Sequence, residues 1–464
     1  MTYRFRPLLI LALVGAIGFA AYSVWDARRA PVAELPEGPK EVLPSSEFID
    51  AEVAIAYYEE RLRRTPSDVR SRVALAQALL QQASATGREA EYIPAAEAAI
   101  DEALRRAPDD YHARLLRGTL LNKLHRFEEA RDLARDLIAE HPAHAYPHGV
   151  LVDALTELGE YDEAVAASDA MLAIKPSIAS YARASYLREL HGDGDGATAA
   201  MRLAADAGPT GNAERAWALY TLGSLYLADA KPDTAAFIFR GLLDERPDYA
   251  YAVAGLGHVA LATGDYDRAA EQYEIAYGMA PRAEFLEGLA EAHAAAGRDR
   301  EARRALEGVR EAFATARGFG ELVDMEEADF MLDNGINVER ALVMATSEVE
   351  RRPGHLHANE TYAWALHHNS RPAEAIPYIE RALRLGTGDA MVHHRAAVIY
   401  DAAGDATEAA RHLRIALENH LHVESPTAAA EARTLLAGLD TSAAPVRQAS
   451  TRRANLSDRG TPLP

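Results

Sequence analysis

Apolar and polar positions fall into paired helical blocks. In Tyr251–Pro281, YAVAGLGHVALATGDYDRAAEQYEIAYGMAP, the residues Leu256, Gly257 and Ala260 share one face of a first helix. ATGDY reads as a turn, and Ala269, Tyr273 and Ala276 share one face of a second helix. Gly257 and Ala269 are small enough for the two helices to cross closely. Tyr273 is placed to fill the gap against the next unit. Pro281 ends the second helix because it cannot continue the hydrogen-bond ladder. The preceding block has the same marks at Leu222, Gly223, Tyr226, Ala235, Phe239 and Pro247. Prolines recur after an apolar helix and a charged segment at Pro66, Pro108, Pro142, Pro176, Pro247, Pro281 and Pro353. The steps 108 to 142, 142 to 176 and 247 to 281 are each 34 residues. The step 66 to 108 is 42, with the surplus in QQASATGREAEY.

Two helices in a fixed period of 34 resemble the tetratricopeptide repeat. The resemblance implies an all-α fold, an α-α superhelix of about ten helix pairs over residues 47–438. Ala179–Ala204 and Tyr362–Asp405 resemble a subgroup of long exported bacterial members, which implies architecture and location but no reaction. The pattern weakens over Glu311–Arg352, where longer connections and a local change of curvature are expected. Ala428–Leu439 reads as a last helix covering the open end of the array.

The termini differ from the array. Pro7–Trp25 is nineteen uncharged residues between Arg4, Arg6 and Asp26, Arg28, Arg29. That length approaches the roughly 20 residues that cross a bilayer. Residues 1–29 therefore read as a signal-anchor, or as a cleaved signal with Gly18-Phe19-Ala20 at the processing site. Either places the bulk of the chain outside the cytoplasm, anchored to the inner membrane or released into the periplasm or medium. Residues 30–46 hold Pro31, Pro36, Pro39 and Pro44 and read as a stiff spacer, with a helix opening at Glu47 after Ser45 and Ser46. Residues 439–464 lack apolar periodicity and read as a disordered tail.

The formal net charge of -21 argues against a nucleic-acid partner. The absence of cysteine excludes disulfides, thiolate metal sites and a cysteine nucleophile. Gly255-x-Gly257-x-x-Ala260 spells a dinucleotide fingerprint but lies inside a helix, where it serves packing. His191–Ala197, HGDGDGA, offers Asp193 and Asp195 to calcium, yet the twelfth loop position is Ala204 instead of glutamate, so a helix–helix turn is expected. No GxxxxGK, HExxH or GxSxG motif occurs, and no enzyme and no cofactor is expected. Nine of 17 histidines lie between His355 and His422, which raises an alternative, an extracytoplasmic metal-handling protein. No pair of them has the three- or four-residue spacing of ligands on one predicted helix, and no metal ligand is assigned.

The family resemblance implies which first-helix positions line the concave groove. Those are Tyr146, Trp217, Tyr220, Tyr251, His258, His357, Trp364, His367, Met391 and His394. They are large, flat and partly polar, as binding hot spots are. They lack the Lys, Arg and Asn set with which the family's chaperone-tail clamps hold a carboxylate. The expected function is a non-catalytic scaffold in the cell envelope that binds a protein or extended peptide. Membrane contact would run through the N-terminal helix if it is retained.

Overall fold

The structure, a computed structural model, describes residues 51–443. Among them are 23 helices and no strand. A first helix, α1 (Ala51–Arg64), precedes ten successive pairs. These are α2 (Val69–Thr86) with α3 (Glu89–Arg106), α4 (Tyr111–Lys123) with α5 (Phe127–Glu140), and α6 (Ala145–Leu158) with α7 (Tyr161–Ile174). Then come α8 (Ile178–Leu190) with α9 (Gly194–Asp206), α10 (Ala213–Ala228) with α11 (Pro232–Glu245), and α12 (Ala250–Ala262) with α13 (Tyr266–Met279). The rest are α14 (Ala283–Ala295) with α15 (Asp299–Gly318), α16 (Asp324–Asp333) with α17 (Val338–Arg351), α18 (Leu356–His368) with α19 (Pro372–Ala382), and α20 (Ala390–Ala402) with α21 (Ala406–Glu418). A single turn, α22 (Leu421–Glu424), and α23 (Pro426–Ala443) close the array.

The repeat chemistry explains these bounds. Each of the seven recurring prolines sits two residues after a helix end: Arg64, Arg106, Glu140, Ile174, Glu245, Met279 and Arg351. The residue before proline is driven out of the α region, so the helix stops there. The surplus residues of the 66-to-108 step lengthen both α2 and α3 to 18 residues. Near residue 311 the array continues in pairs, with α15 stretched to 20 residues and α16 cut to 10. The expected turn falls at His191–Asp193, and the rest of HGDGDGA opens α9. Asp193 Oδ1 accepts the Gly196 amide at 2.9 Å and so caps α9. The last helix runs on to Ala443, past Leu439.

Phe239 and Tyr273, both fully buried, fill the spaces that small residues leave. The Phe239 ring lies between Gly223 and Gly255, where an added Cβ would press on it from either side. Such units bury a continuous apolar core from neighbour to neighbour.

The array also closes on itself. Polar contacts recur at separations of 193 to 197 residues, between five and six 34-residue periods. Arg282 Nη1 meets Glu89 Oε1 at 2.7 Å, His125 Nδ1 donates to the Leu322 carbonyl at 2.8 Å, and the Leu356 amide donates to Tyr161 Oη at 3.0 Å. Arg352 pairs with Glu157 at 3.3 Å and with Glu348 at 2.5 Å. Successive windings of the superhelix therefore touch. Gly159, at φ +77°, receives the backbone of Gly354 and His355 where any Cβ would collide. Gly192, at φ +75°, does the same for Gly386.

No helix among the described residues is long and apolar enough to cross a membrane. The segment 1–29, the spacer 30–46, the helix opening at Glu47 and most of the tail lie outside the described residues.

Candidate functional site: the inner face of the array

The first helix of each pair supplies the inner face. The expected groove residues divide by burial. Met391, His394, Tyr146, Trp217, His357 and Trp364 are buried. Tyr220, Tyr251, His258 and His367 keep partial exposure. The first six are buried and do not line an open groove; Trp217 and Trp364, Tyr146 and Met391 belong to apolar clusters of the core. Tyr146 Oη accepts from Lys175 Nζ at 2.9 Å, and His357 Nδ1 lies 3.2 Å from Glu360 Oε2. The other four include a ring ladder across successive pairs: Tyr220 and Tyr251 have centroids 5.2 Å apart, and Phe285 continues it 5.3 Å from Tyr251.

HLHANETYAWALHH, His355–His368, forms α18 and its cap. His355 accepts the Ala358 amide and is the N-cap, a role no sequence feature singled out. The Trp364 ring stacks on His367 at 5.0 Å and meets His368 edge-on at 4.5 Å. Its indole N–H donates to Asp333 at 2.9 Å. Burial, with the neighbouring His367 and Arg395, pushes the His368 imidazole down to about 4. Burial and Arg395 take His394 to about 4 as well. His393 and His412 are hydrogen-bonded through their Nδ1 atoms at 2.8 Å. Among the described residues no three or more histidines, aspartates or glutamates converge as metal ligands would.

Sequence reasoning missed the buried charges that hold this face in shape. Arg395, 1% exposed at its side chain, reaches Asp329 at 2.9 Å, Asp333 at 2.7 and 2.8 Å, and Glu360 at 3.5 Å. It thereby ties α16, α18 and α20 together. Arg183 forks onto Asp153 at 2.7 and 2.6 Å and ties α8 to α6. The available signal was a lone charge inside an apolar helix, as in AMVHHRAAVIY. Burial raises several inner carboxyls: Glu157 and Glu189 to about 7 and Glu287 to about 8, the last helped by Glu284, Asp333 and Asp329. Glu89 goes the other way. Burial would raise it, but Arg282 and Lys123 outweigh that and hold it at about 2.

A carboxyl with a raised pKa can serve as an acid. Here dehydration and like-charged neighbours account for each shift. The geometry suits recognition: flat rings, partly exposed, on a face held in shape by buried ion pairs.

Two tetratricopeptide-repeat models match the sequence, one at residues 88–145, 220–281, 255–316 and 337–390, the other at 121–187. Among curated proteins no sequence matches. Many solved chains are similar, three of them as follows. A chain of the APC/C hetero-tetramer Cut9–Hcn1 is 14% identical over 94% of this chain and 99% of that one, with a TM-score of 0.38. A tetratricopeptide repeat protein from Parabacteroides merdae is 16% identical over 57% and 98%, with a TM-score of 0.34. A chain of Naa15/Naa10 bound to HypK-THB is 16% identical over 83% and 63%, with a TM-score of 0.27.

Proposed function

Because the chain belongs to the tetratricopeptide repeat family, we propose that it is a non-catalytic scaffold that receives a protein or an extended peptide on its inner face. Arrays of this kind present extended concave surfaces to partners. The observation that carries the reading is the partly buried set Tyr220, Tyr251, His258 and His367, which keeps some exposure on the first helices of three pairs. Rigid aromatic rings give contact area at small entropic cost.

The test is site-specific photo-crosslinking in cells, with the reactive group placed at Tyr251 or His367 on the inner face and at Phe237 on the outer face, where that ring is 76% exposed. A partner joined from the inner positions and absent at Phe237 supports the proposal. A partner joined only at Phe237 refutes it.

We also propose that this scaffold works outside the cytoplasm, anchored or released according to the fate of residues 1–29. The support is the uncharged run Pro7–Trp25. N-terminal sequencing of the mature protein and protease accessibility in spheroplasts test it. Full protection from external protease would end it.

A further inference from the structure

One stretch of the chain is held on the inner face as a ligand would be. Between α21 and α23 the chain turns at His420, at φ +61°, a left-handed conformation that non-glycine residues rarely adopt. It then lays Leu421–Thr427 across α10, α12 and α14. Val423, 5% exposed, enters an apolar nest of Leu227 and Phe239 with the partly buried Tyr220, Leu256 and Val259. Its carbonyl accepts from His258 Nε2 at 2.9 Å. Two residues on, the buried Ser425 donates from Oγ to Glu291 Oε1 at 3.0 Å. Thr427 donates to the same oxygen from Oγ1 at 2.7 Å and from its amide at 3.3 Å.

Three consecutive first helices thus read one apolar side chain, one main-chain carbonyl and two hydroxyls. The contact differs from the winding contacts. Those span 193 to 197 residues, whereas His258 to Val423 spans 165 and Glu291 to Ser425 spans 134. The segment reaches helices about one and two repeats nearer along the chain than stacked windings do. Glu291 is 1% exposed, and burial raises its carboxyl while the Thr427 and Ser425 hydrogen bonds pull it back. Removing the segment would take three hydrogen bonds from the Glu291 carboxylate, and a buried polar group that loses its partners favours a replacement of like chemistry.

We infer that the face of α10, α12 and α14 is a peptide-docking surface that the chain fills with its own residues 421–427. A partner's segment that takes the same single helical turn, with a small apolar residue followed two and four residues later by Ser or Thr, competes for it. This rests on the proposal that the inner face receives a partner, and it names the chemistry of that partner. A tethered segment competes at an effective concentration on the order of millimolar, so the surface is closed to weak ligands until the strap lifts.

The test uses the full chain and a fluorescein-labelled peptide with the sequence of residues 418–429. Fluorescence anisotropy is read for the parent and for a strap variant, Val423→Asp with Ser425→Ala and Thr427→Ala. The strap variant is expected to bind the peptide roughly tenfold or more tighter than the parent. Adding His258→Ala and Glu291→Gln is expected to cancel the gain. Equal or absent binding by both chains, with circular-dichroism melting showing the variant folded, overturns the inference. If the variant does not fold, amide exchange of the parent decides. Residues 421–427 are expected to exchange faster than α21, by local opening, and exchange only together with the whole array overturns it. Failure here leaves the scaffold proposal standing if a partner still crosslinks at Tyr251.

Discussion

The packing of Phe239 allows a prediction in which one substitution changes sign with its background. The ring is fully buried between α10 and α12. An ideal Cβ on Gly255 would lie 2.8 Å from three of its carbons, and Gly223 blocks retreat on the other side. In the parent, Gly255→Ala forces the ring or the helices to move, which costs about 1–3 kcal/mol. The better helix propensity of alanine returns about 1 kcal/mol, so the net effect is destabilising by up to about 2 kcal/mol. Phe239→Ala alone removes a buried ring and costs about 3–5 kcal/mol. In that background the Gly255 methyl enters vacant space, so it gains propensity plus roughly 0.8 kcal/mol of burial. The coupling between the two changes, strain plus burial, is then about 2–4 kcal/mol. Urea unfolding of the four proteins, followed by circular dichroism, measures it. The reasoning is refuted if Gly255→Ala shifts the midpoint by the same amount and sign in both backgrounds.

Arg395→Met removes the buried cation that Asp329, Asp333 and Glu360 share, and a loss of about 3–5 kcal/mol is expected in the same assay; a loss below about 1 kcal/mol would deny the network its structural role. Gly159→Ala puts a Cβ into the backbone of Gly354 at φ +77°, so the windings should part there, and small-angle scattering should show a larger radius of gyration; an unchanged radius with an unchanged melting temperature counts against closure between windings. His394 titrates at about 4 in the fold against an ordinary 6.5. The unfolded chain then binds more protons between those values, so the stability His394 contributes is present above pH 6.5 and lost as pH falls towards 4, at most about 3 kcal/mol. His394→Gln should flatten that part of the stability–pH curve, and an unaltered curve would contradict the assignment.

Local structure was legible in the sequence where one residue type has one physical consequence. A proline two places past the helix end and a glycine opposite a large ring fixed seven helix ends and the Phe239 contact. The accessibility of Met391, His394 and Trp364 was not legible. Position within a repeat assigns a face, but the pitch of the superhelix follows from small rotations summed over many repeats. Whether residues 195 apart meet, as Glu157 and Arg352 do, is therefore absent from a 34-residue pattern. The ion pairs left only a faint mark: Asp153 and its partner Arg183 are charges inside the mostly apolar helices AYPHGVLVDALTEL and IASYARASYLREL, and nothing in either helix says that the two meet. The docked segment was hidden for another reason. Residues 421–427 have no periodicity of their own, and their placement depends on His258 and Glu291 far back in the chain.

The inner face is tested most directly by the affinity of a crosslinked and purified partner for three full-length proteins: the parent, Tyr251→Ala with His258→Ala, and Phe237→Ala. Calorimetry should show the inner-face variant weakened by roughly tenfold or more, about 1.4 kcal/mol, with the Phe237 variant unchanged. Unchanged affinity in the inner-face variant, with a loss at Phe237, would contradict the account and move the binding surface to the outside of the array.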